Sequence, residues 1–211
     1  CRQFAGVVAL CLQPLQDAFK LGLQNGDHEF AGLSAHIYSY HLFLCGKNLE
    51  EAERELIFYT GEIRKLRQET ALQRNEIYLQ SISNLRRGSA VSSLLQGEFY
   101  NEHNDFPFLE EKNDITSLCN FFFCKTILSF LAEDYVSALS FSEKVSSYRK
   151  GGVSTMLIPV YVFYDFAIRF MLLNDLNDPK ALRKLRISIK KMRRWAAECH
   201  ENFYGKLTFM E

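Results

Sequence analysis

Apolar residues recur along this chain at spacings of three and four, and alternation with period two is nearly absent. That spacing belongs to helices that lay one face on a core. Four prolines and eleven glycines punctuate the long helical stretches. The first predicted helix covers residues 2–24, with Pro14 as a kink or restart. Asn25-Gly26-Asp27 ends it: glycine suits the left-handed C-terminal position, and Asp27 caps the next helix. The second helix is predicted over 28–45, and Gly46-Lys47-Asn48 is the turn after it. Asn48 with Glu51 reads as a capping-box start for a third helix ending near Gln68, and a fourth follows over 69–86.

Gly88-Ser89 interrupts the pattern, and residues 91–113 read as irregular, with room for one short helix. Asp114 then opens the most apolar helix, with Leu118, Phe121, Phe122, Phe123, Ile127, Leu128, Phe130 and Leu131. Apolar residues on nearly every side predict neighbours on several sides, so this helix is expected to be central. A Glu133-Asp134 turn leads to its partner, Gly151-Gly152 breaks the chain, and Ser154 is expected to cap a further apolar helix. Asp178-Pro179 places a cap before proline at the first helical position, and a basic helix runs from there to about Glu198. A short helical tail follows from Asn202.

One unit recurs: an apolar helix, a short polar turn, and a partner helix with an early alanine. The examples are residues 28–68, 114–149 and 155–198, with Ala52, Ala138 and Ala181 letting helices approach closely. The stretch from Leu131 to Leu139 resembles the middle of a tetratricopeptide unit, where the turn precedes an aromatic residue and Ala-Leu. The predicted fold is all-α, with degenerate tetratricopeptide-like stacked helix pairs forming an α-solenoid segment. Residues 1–211 are expected to form one helical repeat-like region, a fragment of a larger multidomain protein.

Composition adds limits. Apolar residues make up 47% and charged residues 24%, a globular balance. With 25 basic and 25 acidic residues, bulk charge gives no reason to expect nucleic acid or an anionic membrane. Six cysteines without a CxxC pair read as small buried hydrophobes in a reducing, cytoplasmic compartment. The most apolar window, residues 156–173, holds Asp165 and Arg169, so no membrane span is expected.

Candidate chemistry is sparse. Neither GxGxxG nor GxxxxGK[ST] occurs, and there is no HExxH. His41 and Cys45 share a helix face at i and i+4, but two further ligands are not evident. Cys119 and Cys124 lie among phenylalanines, where burial suppresses thiolate formation. Glu50, Glu51, Glu53, Glu55, Glu110 and Glu111 read as solvated or capping carboxylates. No catalytic residue, metal or cofactor is therefore expected.

The strong charge feature is the basic helix, with Lys180, Arg183, Lys184, Arg186, Lys190, Lys191, Arg193 and Arg194 within fifteen residues. Leu182, Leu185, Ile189, Met192 and Trp195 make its apolar side. Such a helix is a solvated outer face, or a binding face for phosphate groups, a membrane surface or an acidic partner. As a binding face it suits an acidic protein surface, contacted through Lys184, Lys190, Lys191, Arg193, Arg194 and Trp195. Tyr38, Tyr40, Tyr59, Tyr161, Phe163 and Tyr164 are core aromatics or the lining of an inter-helix groove. A groove of that kind suggests the alternative function, sensing of a small molecule.

Several segments also resemble a known family. They are Asn25-Gly26-Asp27-His28-Glu29-Phe30-Ala31, Gly46-Lys47-Asn48-Leu49, Gln68-Glu69-Thr70-Ala71, Gln96-Gly97-Glu98-Phe99-Tyr100, Asn113-Asp114, and Trp195 with Glu201-Asn202-Phe203-Tyr204-Gly205-Lys206. Together, in this order, they resemble the helical region of multi-sensor signal transduction multi-kinases, a family abundant in cyanobacteria. His200 and Gly205 stand where that family's tail carries proline and histidine. The resemblance implies a non-catalytic connector or sensor in a two-component signalling protein. It would lie between a kinase-like and AAA-type ATPase module and a GAF and histidine kinase output. The implied partners are adjacent domains of the parent protein or another signalling protein.

Overall fold

The computed structural model describes residues 10–87, 93–173 and 178–211. Among them the regular structure is ten α-helices and a 3-10 turn, with one isolated β-bridge between Gln96 and Asn101 and no strand. The all-α expectation holds. The chain forms two compact units, Cys1–Ser89 with Leu95–Phe108, and Ala90–Leu94 with Leu109–Glu211.

The first unit contains α1 (Leu12–Gln24), α2 (His28–Leu44), α3 (Leu49–Lys65) and α4 (Glu69–Arg86). Pro14 falls in the first turn of α1, where its missing N–H costs nothing. The residues expected to extend that helix toward Arg2 lie outside the described ones. Helix α2 packs on α1 and meets both α3 and α4, which also pack together. Its contact with α1 is close because Gly22 faces Ala31: a Cβ on Gly22 would stand 2.9 Å from the Ala31 nitrogen. Asn75 on α4 donates to the Thr60 hydroxyl on α3 at 2.7 Å, and both residues are buried.

Helix α5 (Glu102–Glu111) carries the chain from one unit to the other, and is the short helix expected within 91–113. The second unit continues with α6 (Ile115–Leu131), α7 (Tyr135–Tyr148), a 3-10 turn (Arg149–Gly152), α8 (Leu157–Met171), α9 (Pro179–Glu198) and α10 (His200–Met210). Helix α6 is buried over thirteen consecutive residues, from Ser117 to Ser129. It packs on α7, α8 and the 3-10 turn, the several neighbours its all-round apolar surface required. Each large side chain wholly buried there, such as Phe123 or Leu128, contributes about 1.5–3 kcal/mol. A separate cluster joins Phe166 of α8, Leu185, Met192 and Ala196 of α9, and Phe203, Leu207 and Met210 of α10.

One kind of junction recurs. Gly26, Arg67, Asn113 and Glu133 follow the ends of α1, α3, α5 and α6 with φ of 71°, 56°, 48° and 61°. The next N–H reaches back five residues: Asp27 to Gly22 O at 2.9 Å, Gln68 to Ile63 O at 3.3 Å, Asp114 to Leu109 O at 3.4 Å and Asp134 to Ser129 O at 3.0 Å. This left-handed closure satisfies helix-end carbonyls. At three junctions the next residue also caps the following helix: Asp27 accepts from Phe30 N, Asp114 from Thr116 and Ser117 N, and Asp134 from Ser137 N. Asn48 does the same for α3, accepting from Glu50 and Glu51 N–H.

Two local expectations change. Ser154 does not cap α8; it adopts φ 64°, and the Thr155 hydroxyl instead accepts the Leu157 N–H at 3.3 Å. The glutamates of α3 are not all solvated. Positions 53, 56, 60 and 63 share an inward face, so Glu53 is buried and ion-paired with Arg86. Among the described residues no helix is long and apolar enough to cross a membrane.

Candidate functional site

Helix α9 has no acidic residue between Asp178 and Glu198. Its N-cap is built from Asp178, whose carboxylate accepts from Lys180 N at 2.8 Å and Ala181 N at 3.3 Å, with Pro179 opening the first turn. Leu185, Met192 and Ala196 point into the core with α8 and α10, so the basic positions are left on the outside. Arg193 is drawn to Glu211 at 2.6 Å and Arg194 to Glu198 at 3.6 Å. Arg183, Lys184, Arg186, Lys190 and Lys191 are exposed, and none makes an ion pair among the described residues.

Lys184 and Lys191 stand two turns apart, with Ile187 and Ser188 between them, on one side of a cleft of ≈ 240 Å³. The other sides are Ser146 of α7, Arg149 of the 3-10 turn, and Ile158, Tyr161, Val162, Asp165 and Arg169 of α8. Four cationic side chains and one carboxylate therefore line it. That carboxylate is already engaged. Arg169 Nε lies 3.1 and 3.0 Å from the two Asp165 oxygens, and the Ser142 hydroxyl donates to Asp165 at 2.5 Å. Tyr161 donates its hydroxyl to Ser142 O at 3.2 Å. Burial, then the Asp165 charge, push the Tyr161 phenol above its usual pKa, so it stays a neutral donor. Arg149, Lys184 and Lys191 remain without an ion-pair partner among the described residues. A neighbouring depression of ≈ 370 Å³ shares Arg169 and Lys184 and adds Lys180.

The six residues expected at a partner face thus separate. Lys184 and Lys191 line the cleft, and Lys190 is exposed beside it. Arg193 and Arg194 are paired with carboxylates, and Trp195 leans on Phe203 at 6.2 Å between ring centres, against the α8–α10 core. Arg149 and Arg169 were not anticipated. The available signal was Asp165 and Arg169 at i, i+4 on an otherwise apolar helix, a pair that needs a polar surface to face.

In the first unit a more open cleft of ≈ 590 Å³ lies among α1, α2 and α3. Tyr38, Phe58 and Tyr59 form its aromatic side, with Gln13, Gln16, Lys47, Arg54 and Glu55 around them. Gln16 donates to the Tyr38 hydroxyl at 3.2 Å, Tyr38 donates to Glu55, and Lys47 lies 3.5 Å from the same carboxylate. Burial, then the hydrogen bond to Glu55 and that carboxylate's charge, raise the Tyr38 pKa far above that of a free phenol. Of the six aromatics considered, Tyr38, Tyr40 and Tyr59 are buried, while Tyr161, Phe163 and Tyr164 are half-buried.

His41 Nδ1 bonds to Ile37 O at 2.8 Å, and burial pushes the Cys45 thiol up to about 11. Burial alone pushes Cys119 up to about 12. Among the described residues no three His, Cys, Asp or Glu side chains converge as a metal site. No protein-family model, curated protein or solved structure matches this chain.

Proposed function

We propose that this chain is a non-catalytic interaction and signal-coupling segment, and that α9 is the surface through which it engages an acidic partner. The observation that carries this reading is the uncompensated charge of α9. Lys180 and Lys184, Arg183 and Arg186, and Arg186 and Lys190 sit three or four residues apart, where like charges repel. Lys180 also stands in the first turn of the helix, where the backbone dipole disfavours cations. A helix that keeps such charges exposed is weakened in isolation and strengthened by an anionic surface.

The wider reading follows from the fold's regularity. At Gly26-Asp27 and Glu133-Asp134 a short left-handed junction followed by a capping residue joins two helices that pack together, a pattern in keeping with degenerate tetratricopeptide-like stacked pairs. The resemblance to the helical region of multi-kinases supports reading the segment as part of a cytoplasmic signalling protein, between an ATPase module and a GAF and histidine kinase output. The partner is then an adjacent domain of the parent protein or another signalling protein.

The test is titration of the chain with poly-L-glutamate, followed through Trp195 fluorescence. Binding should weaken steeply as NaCl rises from 50 to ~300 mM, because screening shortens the range of surface charges. Reversal of Arg183, Arg186 and Lys190 to glutamate should abolish it. Binding that ignores both salt and charge reversal overturns the reading.

A second reading, sensing of a small molecule in an inter-helix groove, draws on the ≈ 590 Å³ aromatic-sided cleft of the first unit. A thermal-shift screen of metabolites should then find a stabilising compound whose effect is lost in Tyr59→Ala. A screen without one removes this alternative.

A further inference from the structure

We infer that the cleft bounded by Arg149, Tyr161, Lys184 and Lys191 is a phosphate-monoester site that reads one phosphorylated side chain within an acidic protein segment lying along α9. The inference rests on the reading of α9 as an acidic-partner surface, and names the chemistry that would give it specificity.

Three observations carry it. First, the cleft has uncompensated positive charge. Asp165 is neutralised in place by Arg169 and Ser142, whereas Arg149, Lys184 and Lys191 have no carboxylate. A phosphate monoester near pH 7 carries ≈ −1.5 to −2 charge and three acceptor oxygens, which match three separate cationic donors better than one carboxylate does. Second, the cations come from different elements. Arg149 is held by the 3-10 turn, and Lys184 and Lys191 by successive turns of α9. Donors converging from two sides select a compact anion, while a flat basic face only attracts charge. Ser146, Ser188 and the cleft's apolar side chains, Ile158, Val162 and Ile187, complete a wall for the short aliphatic stem that carries the phosphate.

Third, size and surroundings favour a protein segment over a free metabolite. The cleft is ≈ 240 Å³, below the usual range of small-molecule pockets. Yet exposed cations extend beyond it along α9 at Arg183, Arg186 and Lys190, and at Lys180 in the adjoining depression. A small phosphate would leave those unused. An extended acidic segment would meet them with flanking glutamate or aspartate while one phosphate occupies the cleft.

The test uses three fluorescein-labelled peptides of the same glutamate-rich sequence, with a central phosphoserine, serine or glutamate, in 150 mM NaCl. The phosphoserine peptide should bind about tenfold tighter than the serine peptide, with glutamate between them. Arg149→Ala and Lys191→Ala should erase the phosphate preference and leave the weak binding of the serine peptide. Arg183→Ala should weaken all three peptides by a similar factor. These side chains are exposed and outside the core, and circular dichroism would confirm that each variant stays helical. Equal binding of the three peptides overturns the phosphate site and leaves the acidic-partner reading standing. Failure of all three to bind overturns both. If phenyl phosphate binds as tightly as the phosphopeptide, the cleft takes small phosphates, and the inference of a protein segment is wrong.

Discussion

The carboxamide oxygen of buried Gln80 accepts the backbone N–H of Tyr100 at 3.3 Å, and that of Phe99 at 3.1 Å. Its amide nitrogen donates to Asn84 at 2.8 Å. One α4 side chain therefore fixes the short loop closed by Gly97 N to Tyr100 O at 3.0 Å and Glu102 N to Leu95 O at 2.9 Å. Gly97 has to be glycine for this, because a Cβ there would lie 2.5 Å from the Gln80 amide nitrogen. Gln80→Leu keeps the bulk and deprives two backbone donors. Each stranded donor costs about 1–3 kcal/mol, so a loss on the order of 3 kcal/mol is expected in urea denaturation. A loss under ~0.5 kcal/mol would show that the loop does not depend on Gln80.

Two substitutions should stabilise the chain by opposite backbone logic. Gly61 lies inside α3 with nothing within 4 Å of an added Cβ, so Gly61→Ala should gain about 0.5–1 kcal/mol. Glu133 holds φ 61° at the end of α6, a conformation that costs an L side chain about 1–2 kcal/mol. Glu133→Gly should therefore gain about 1 kcal/mol despite glycine's freer unfolded chain. Thermal melts would check both, and a lower midpoint for either contradicts the backbone assignment at that residue.

Lys206 carries a pH signature. Burial lowers its ammonium to about 8, and its Nζ donates to Asn202 O at 3.3 Å. In the unfolded chain a lysine titrates near ~10.4. Between those values the unfolded state binds more protons than the native one, so this residue makes stability rise with pH over that window. Below pH 8 both states are protonated and the native state bears the desolvation cost in full. Lys206→Met should thus stabilise the protein at pH 7 by on the order of 2 kcal/mol, with the gain fading by pH 10.5. Comparing the variant with the parent at each pH removes the contribution of titrating tyrosines. A gain that is the same at both pH values would contradict the shift.

Much of this architecture was written in local sequence. Asn25-Gly26-Asp27, Asn48, Asp114 and Asp178-Pro179 each set a boundary through backbone capping, which depends on neighbours only a few residues away. The Thr155 cap was missed because Ser154 and Thr155 offer the same hydroxyl, and only the turn after Gly152 decides which one faces the helix. The candidate site was half legible. The charge of α9 is a local pattern, whereas the cleft needs Arg149 from one element and Asp165 with Arg169 from another. Their convergence is a tertiary fact without a spacing to betray it. Glu53 misled for a related reason: it sits among other charged residues in sequence, and its partner Arg86, itself exposed, lies 33 residues away.

The charge of α9 makes one more consequence measurable without any partner. Each like-charged pair at i, i+3 or i, i+4 costs about 0.2–0.5 kcal/mol on an exposed helix, and salt relieves it. The thermal midpoint should accordingly rise by a few degrees, roughly 2–5 °C, between 10 and ~300 mM NaCl. Arg186→Glu sharpens the point. It turns repulsion toward Arg183 and Lys190 into attraction, and places the carboxylate N-terminal to Lys190 at i, i+4, the favourable order. The variant should be more stable than the parent by about 1 kcal/mol at low salt, and nearly equal to it at high salt. The same change should weaken poly-L-glutamate binding. A residue whose replacement raises stability and lowers binding is one whose charge serves recognition rather than folding. If Arg186→Glu instead destabilises the chain at 10 mM NaCl, Arg186 has a folding role, and the case for α9 as a docking surface loses its physical basis.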